Sequence, residues 1–232
     1  MAFLFTALMI AGYFALVAIR PRSRYRMWFR NNYGLGVLRI VGGGRLCVTG
    51  LEHIASGENY VVVSNHASLM DIPAAAGALP LDFKFLAKRE LLKVPFIGWY
   101  LHRDGHPTLD RRSLRSSIES TNECARLIRE KRLSVLIFPE GTRSPDGRLQ
   151  RFHDGAAYLA IQAGVPLLPV AIVGTSKLLP ARSSCFTPAA LELRIGVPIS
   201  VEGLTARDRS TLTASLEQAV AQLCGASDGI AS

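Results

Sequence analysis

His66 and Asp71 stand five residues apart in the stretch Asn65-His66-Ala67-Ser68-Leu69-Met70-Asp71, which follows the apolar run Val61-Val62-Val63. On one continuous helix that spacing would turn the two side chains about 140° apart, so they can face each other only across a bend. Pro73 is tolerated in a first helical turn, which puts Asp71 at or near a helix start and the bend just before it. A carboxylate bonded to one imidazole nitrogen fixes the tautomer and leaves the other nitrogen free to take a proton. The same residues also suit a plain turn in which the aspartate caps a helix. Ser68 lacks the G-x-S-x-G surroundings of an activated serine, and His66 has no second histidine beside it at metal-ligand spacing, so no metal site is expected.

A second polar cluster follows another apolar strand: Phe138-Pro139-Glu140-Gly141-Thr142-Arg143-Ser144 after Val135-Leu136-Ile137. Glycine allows close backbone approach, threonine offers a hydroxyl, and arginine can grip a phosphate with two parallel hydrogen bonds. Glu140 is expected to orient that arginine or to bond a substrate hydroxyl. A surface turn with a Glu–Arg pair would use the same residues and be worth little.

The elements that must position these clusters are legible as an alternation. Strands are expected at residues 46–49, 60–64, 84–87, 134–138, 167–173 and 191–195, and helices at 72–78, 94–101, 111–130, 155–163 and 207–224. Such alternation predicts an α/β fold with a central, largely parallel mixed sheet flanked by helices. In these sheets ligands bind where strands end and helices begin, which is where both clusters fall.

No charged residue occurs from Met1 to Ile19, and seven arginines (Arg20, Arg22, Arg24, Arg26, Arg30, Arg39, Arg45) precede the first acid, Glu52. Nineteen residues would make about 28 Å of helix, close to the thickness of a hydrocarbon core. No basic residue precedes the apolar run, unlike a cleaved leader. The expectation is an N-terminal membrane-associating helical segment, residues 1–44. It includes a second, interfacial helix between Tyr25 and Val41 and ends at Gly42-Gly43-Gly44, ahead of a domain spanning residues 45–232. The arginines would keep that domain on the cytoplasmic face of the inner membrane, against anionic headgroups. Seven of the nine net positive charges lie in this first fifth, so the nearly balanced remainder argues against a nucleic-acid binder. Cys47, Cys124, Cys185 and Cys224 are far apart and read as buried thiols rather than a disulfide or zinc framework.

The motif N-H-x-S-x-x-D, followed about 70 residues later by F-P-E-G-T-R-S, resembles the glycerolipid acyltransferase family, nearest its bacterial 1-acyl-sn-glycerol-3-phosphate (lysophosphatidic acid) acyltransferases. Phe85-Leu86-Ala87-Lys88-Arg89-Glu90-Leu91, Pro95-Phe96-Ile97-Gly98 with Arg103, and Val165-Pro166-Leu167-Leu168-Pro169-Val170 match further blocks in the family's order, so the resemblance covers about residues 45–175.

The resemblance implies that His66 and Asp71 are the catalytic dyad. In that family the histidine deprotonates the acceptor hydroxyl, which attacks the thioester of acyl-CoA or acyl-acyl carrier protein directly, with no acyl-enzyme and no cofactor. It further implies that Glu140, Gly141, Thr142 and Arg143 hold the glycerol phosphate of a lysophospholipid, and that Lys88 and Arg103 lie near the same anion. Asn65 and Ser68 are carried as substrate-contacting members of the first block. One departure stands out: relatives often place a basic residue before the glycine that here follows Phe152-His153-Asp154. An acid beside a phosphate is unfavourable, which keeps lyso-ornithine lipid as an alternative acceptor. Two further alternatives are an inactive lipid-binding protein on the same fold and a hydrolase using Ser68. The Arg111, Arg112 and Arg115 cluster is expected on the long helix, as a solvated face or a seat for an acidic carrier protein.

Overall fold

The computed structural model describes residues 23–225; the apolar run Met1–Ile19 lies outside them. In chain order the elements are α1 (Ser23–Ile40), β1 (Gly43–Thr49), β2 (Val61–Ser64), α2 (Asp71–Ala78), β3 (Phe83–Phe85), β4 (Ala87–Lys88), α3 (Ile97–Arg103), β5 (Thr108–Leu109), α4 (Leu114–Lys131), β6 (Ser134–Ile137), α5 (Gly155–Ala163), β7 (Leu167–Val173), α6 (Thr175–Leu178), β8 (Ala189–Ile195) and α7 (Arg209–Leu223), with short 3₁₀ turns between several of them.

Six strands form one sheet in the order β1-β8-β7-β2-β6-β3, and β4 pairs with β5 beside it. All pairings in the main sheet are parallel except β7 with β8. The α/β architecture and the six expected strands are therefore as the alternation required. β2 lies at the centre with β6 and β7 on either side, and helices cover both faces, so Val61, Val62 and Val63 are all buried. Alternate residues face opposite sides. Val61, Val63, Val135 and Ile137 join Ile128 of α4, Leu159 of α5 and Leu216 of α7 in one core layer. Val62, Leu136, Leu168 and Ile172 face the opposite layer with Leu38 of α1 and Ala75 of α2.

α1 begins and ends close to the expected second helix, but it packs into this core. Gly34 meets α2 so closely that an added Cβ would overlap the Pro73 carbonyl and the Gly77 amide. Arg30 stacks over the Phe83 ring, 4.0 Å from its centroid, and donates to the carbonyls of Leu79, Leu81 and Phe83 at 3.2, 2.6 and 3.3 Å. The guanidinium thus supplies donors to the carbonyls that follow α2, a role suited to its planar fork.

The helical pattern of α1 ends just before the glycine triplet, and β1 starts at its second member, Gly43. Two expectations need correction. Cys47 and Cys185 are exposed, while Cys124 is buried. Cys47 lies on an edge strand between Leu46 and Val48, which pack on the core, so alternation turns it outward. The long helix starts at Leu114 rather than Arg111: Ser113 caps it, its hydroxyl accepting the Ser116 N–H at 3.0 Å.

Candidate active site

β2, β6 and β3 run parallel, so the loops that leave their C-terminal ends emerge on one edge of the sheet. The first of these loops, residues 65–70, descends from β2 into α2, whose first residue is Asp71. The Asp71 carboxylate is fully buried there and gathers four donors. Oδ2 accepts from the backbone N–H of Ala67 and of Ser68, each at 2.8 Å, and lies 2.8 Å from Nδ1 of His66. Oδ1 accepts from the Thr175 hydroxyl at 2.5 Å. An acceptor-only carboxylate requires the proton of a neutral imidazole to sit on Nδ1, which leaves Nε2 with a lone pair. The His66 side chain is 15% exposed, and Phe138 lies flat against its ring at 4.0 Å with 14° between planes. The bend that the spacing required is present and closed by the aspartate.

The second loop, after β6, grips the first. Glu140 Oε1 accepts the backbone N–H of His66 at 2.9 Å, and Ser144 donates its N–H to the His66 carbonyl at 2.8 Å. Glu140 therefore fastens the histidine loop and is bonded by Gln150 at 3.1 Å, rather than orienting Arg143 as expected. Burial pushes the Glu140 carboxyl up to about 8; the bonds from His66 and Gln150 oppose the rise, and the charge of Asp71 adds to it. Gly141, Thr142 and Arg143 form the turn between these two attachments. Gly141 sits at φ +76°, where a side chain would be strained and would collide with the Arg111 guanidinium. Arg143 is partly buried, with Nη1 3.5 Å from the Ala181 carbonyl.

Arg111 is the residue that the sequence reading misplaced. It precedes α4 and donates from Nη1 to the Gly141 carbonyl at 3.3 Å, which brings a second guanidinium to the turn. Arg112, by contrast, is tied to Asp110, and Arg115 pairs with Glu119. The signal in the sequence was Ser113, a residue type suited to an N-cap, which would start the helix after Arg111 and Arg112.

The other candidates are placed as follows. Asn65 is buried and clamps β7 through both backbone groups of Ile172, donating to its carbonyl at 3.0 Å and accepting its N–H at 2.8 Å. The Ser68 hydroxyl is buried, donates to the Leu179 carbonyl at 2.7 Å and accepts the Met70 N–H. Among the described residues it makes no bond to His66, so it has no base for a nucleophilic role. Lys88 closes β4 and Arg103 closes α3; both are exposed and unbonded to the dyad loop or the 141–143 turn among the described residues. Asp154 opens α5 and is bonded by Ser210 at 2.8 Å, with Arg209 at 3.6 Å. Its charge is answered by the start of α7. Among the described residues no three His, Cys, Asp or Glu side chains converge as a metal site would require.

The geometry places the His66 imidazole, held by Asp71 and stacked on Phe138, beside a loop whose glycine turn carries Arg143 and receives Arg111. The Acyltransferase family model matches residues 45–173. A protein of Brassica napus, 1-acyl-sn-glycerol-3-phosphate acyltransferase BAT2, is 35% identical over 184 residues, 78% of this chain and 52% of that protein. The 1-acyl-sn-glycerol-3-phosphate acyltransferase of Saccharomyces cerevisiae is 30% identical over 206 residues, 86% of this chain and 68% of that one. The chain thus spans about half the length of the Brassica relative and about two thirds of the yeast one. The crystal structure of the 1-acyl-sn-glycerophosphate (LPA) acyltransferase PlsC from Thermotoga maritima superposes with a TM-score of 0.74 at 26% identity, covering 100% of both chains. The stretch matched by the family model runs from β1 to the end of β7 and so contains both loops that build the dyad and its turn, and on that ground this chain belongs to the Acyltransferase family.

Proposed function

We propose that this chain transfers a fatty acyl group from acyl-CoA or acyl-acyl carrier protein to the free hydroxyl of 1-acyl-glycerol-3-phosphate, giving phosphatidic acid. The observation that carries the reading is the 2.8 Å contact of His66 Nδ1 with Asp71, which leaves the lone pair on Nε2. Nε2 takes the proton of the acceptor hydroxyl as its oxygen attacks the thioester carbonyl. The tetrahedral intermediate then collapses, the C–S bond breaks, and the imidazolium returns its proton to the departing thiolate. Asp71 stabilises the imidazolium while it lasts. Arg143, with Arg111 beside the same turn, pairs with the acceptor phosphate and sets the distance from phosphate to hydroxyl.

The names of the relatives support lysophosphatidate as acceptor. The engagement of Asp154 by Ser210 and Arg209 supports the same acceptor, since part of its charge is answered within the fold. A single-chain lipid acceptor also gives the apolar run Met1–Ile19 a purpose, since a chain held at the cytoplasmic face of the inner membrane meets its acceptor at high local concentration. No helix among the described residues is long and apolar enough to cross a membrane.

The test is an assay of purified protein with lysophosphatidate and lyso-ornithine lipid side by side, using both thioester donors, with His66→Ala as control. Transfer to lysophosphatidate that the variant loses is expected. Transfer confined to lyso-ornithine lipid, or transfer that survives His66→Ala, overturns the reading.

A further inference from the structure

β7 lies beside β2 in the sheet, with Ser64 opposite Val170, so its C-terminal end emerges at the edge that carries the dyad. Asn65 holds Ile172 there by both backbone groups. Gly174, at φ +90°, then turns the chain into α6, and an added Cβ at this glycine would overlap the Ala190 carbonyl of β8. The first residue of α6 is Thr175, which is fully buried.

The Thr175 hydroxyl donates to Asp71 Oδ1 at 2.5 Å, across 104 positions of sequence. Threonine hydroxyls near helix starts ordinarily bond the backbone of their own turn; this one is given to a carboxylate. Among the described residues Oδ1 has this donor alone, whereas Oδ2 takes His66 Nδ1 and the N–H groups of Ala67 and Ser68. The terminal torsion of an aspartate is broad, so bonds to one oxygen leave the carboxylate plane free to swing about them. A donor on the other oxygen fixes that plane.

α6 is a firm support for the hydroxyl. Leu178 is buried in the layer that holds Val62 and Leu168, and the Leu179 carbonyl accepts from Ser68 at 2.7 Å. Thr175 and Leu179 thus tie both ends of this short helix to the dyad loop. Just beyond, the Ala181 carbonyl accepts from Arg143 at 3.5 Å. A shift of the whole segment would therefore disturb Arg143 and acceptor binding, while loss of one hydroxyl leaves that contact alone.

We propose that Thr175 is a positioning residue of the acyl transfer: its hydroxyl fixes the plane of the Asp71 carboxylate, and through it the direction in which His66 Nε2 meets the acceptor hydroxyl. The inference rests on the lysophosphatidate reading of the site. Thr175 touches no substrate in this account; it acts through Asp71.

The test uses the full chain in detergent with lysophosphatidate and whichever thioester donor the wild type accepts, rates being referred to the folded fraction read from thermal melts. Thr175→Val keeps the shape and removes the donor. It should lower kcat roughly ten- to a hundredfold while KM for lysophosphatidate stays within about twofold. Thr175→Ser keeps the donor without the methyl group and should retain at least about a third of the wild-type kcat. Thr175→Cys, with only a weak S–H donor, should fall between the two. A wild-type kcat in Thr175→Val overturns the inference. So does an equal loss in Thr175→Val and Thr175→Ser, which assigns the effect to packing of the methyl group, and so does a loss expressed in KM instead of kcat. If the valine variant does not fold, the other two decide: a lower kcat for Thr175→Cys than for Thr175→Ser supports the inference, and equal values overturn it. Failure of the lysophosphatidate reading is recognised separately, because the wild type itself would then leave that acceptor unacylated and both would fall.

Discussion

Glu140 accepts the backbone N–H of His66 at 2.9 Å, so the second loop holds the first by the main chain of the histidine itself. Ser144 completes the grip from the other side by donating to the His66 carbonyl. With both peptide groups of His66 engaged and Phe138 against its ring, the imidazole keeps its aim without help from substrate.

Burial raises the Glu140 carboxyl from 4.5 to about 8. The folded chain therefore keeps a proton that the unfolded chain releases. The associated stability is full below about pH 4.5 and is lost as pH rises through 8. Glu140→Gln has no proton to lose and can still accept the His66 N–H. Thermal melts between pH 5 and 8 should show wild type losing Tm more steeply than the variant; parallel slopes would refute the assignment.

The four donors on Asp71 separate its role from that of His66. His66→Ala should lower kcat by roughly 10²–10⁴-fold, with KM and Tm little changed. Asp71→Asn places an amide NH₂ where donors converge, which should cost about 1–3 kcal/mol of stability as well as activity. Steady-state kinetics beside denaturant melts would check both; an Asp71→Asn protein with wild-type stability would show that the buried carboxylate is not structural.

Removing either guanidinium at the glycine turn should act on acceptor binding. Arg143→Ala and Arg111→Ala are each expected to raise KM for lysophosphatidate roughly tenfold, with a smaller effect on kcat. A monoacylglycerol acceptor lacks the phosphate and should show no such change. An unaltered KM for lysophosphatidate in Arg143→Ala would remove that side chain from the phosphate site.

Gly34→Ala tests the contact between α1 and α2. The new methyl would meet backbone on α2, so the helices must part at a cost of about 1–3 kcal/mol. Because α2 begins with Asp71, kcat should fall with stability. Urea denaturation and initial rates on the same preparation would reveal this, and a variant matching wild type in both would mean that the contact is looser than it looks.

Much of this was legible in advance because the strands are buried on both faces and read as short β-branched runs, as with Val61–Val63 and Val135–Ile137. The bend between His66 and Asp71 followed from helical geometry and Pro73. What stayed hidden was tertiary. Nothing local tells that Glu140 will reach from its own loop to the His66 amide in the next one, or that Asn65 will clamp β7 through Ile172. Arg111 was misread because the helical pattern of α4 extends by charge alone through residues that Asp110 and the Ser113 cap hold in a loop. Cys47 was misread because an edge strand has a wet side.

Arg30 carries a practical consequence for anyone trimming the gene. Its guanidinium caps three carbonyls leading from Leu79 to Phe83, and its neighbours Leu38 and Val41 fill the floor beneath the sheet. A clone that starts at residue 45 would uncap that corner and leave a hole below the strands, so a fragment able to fold by itself has to include Arg30 and the rest of α1 that follows it.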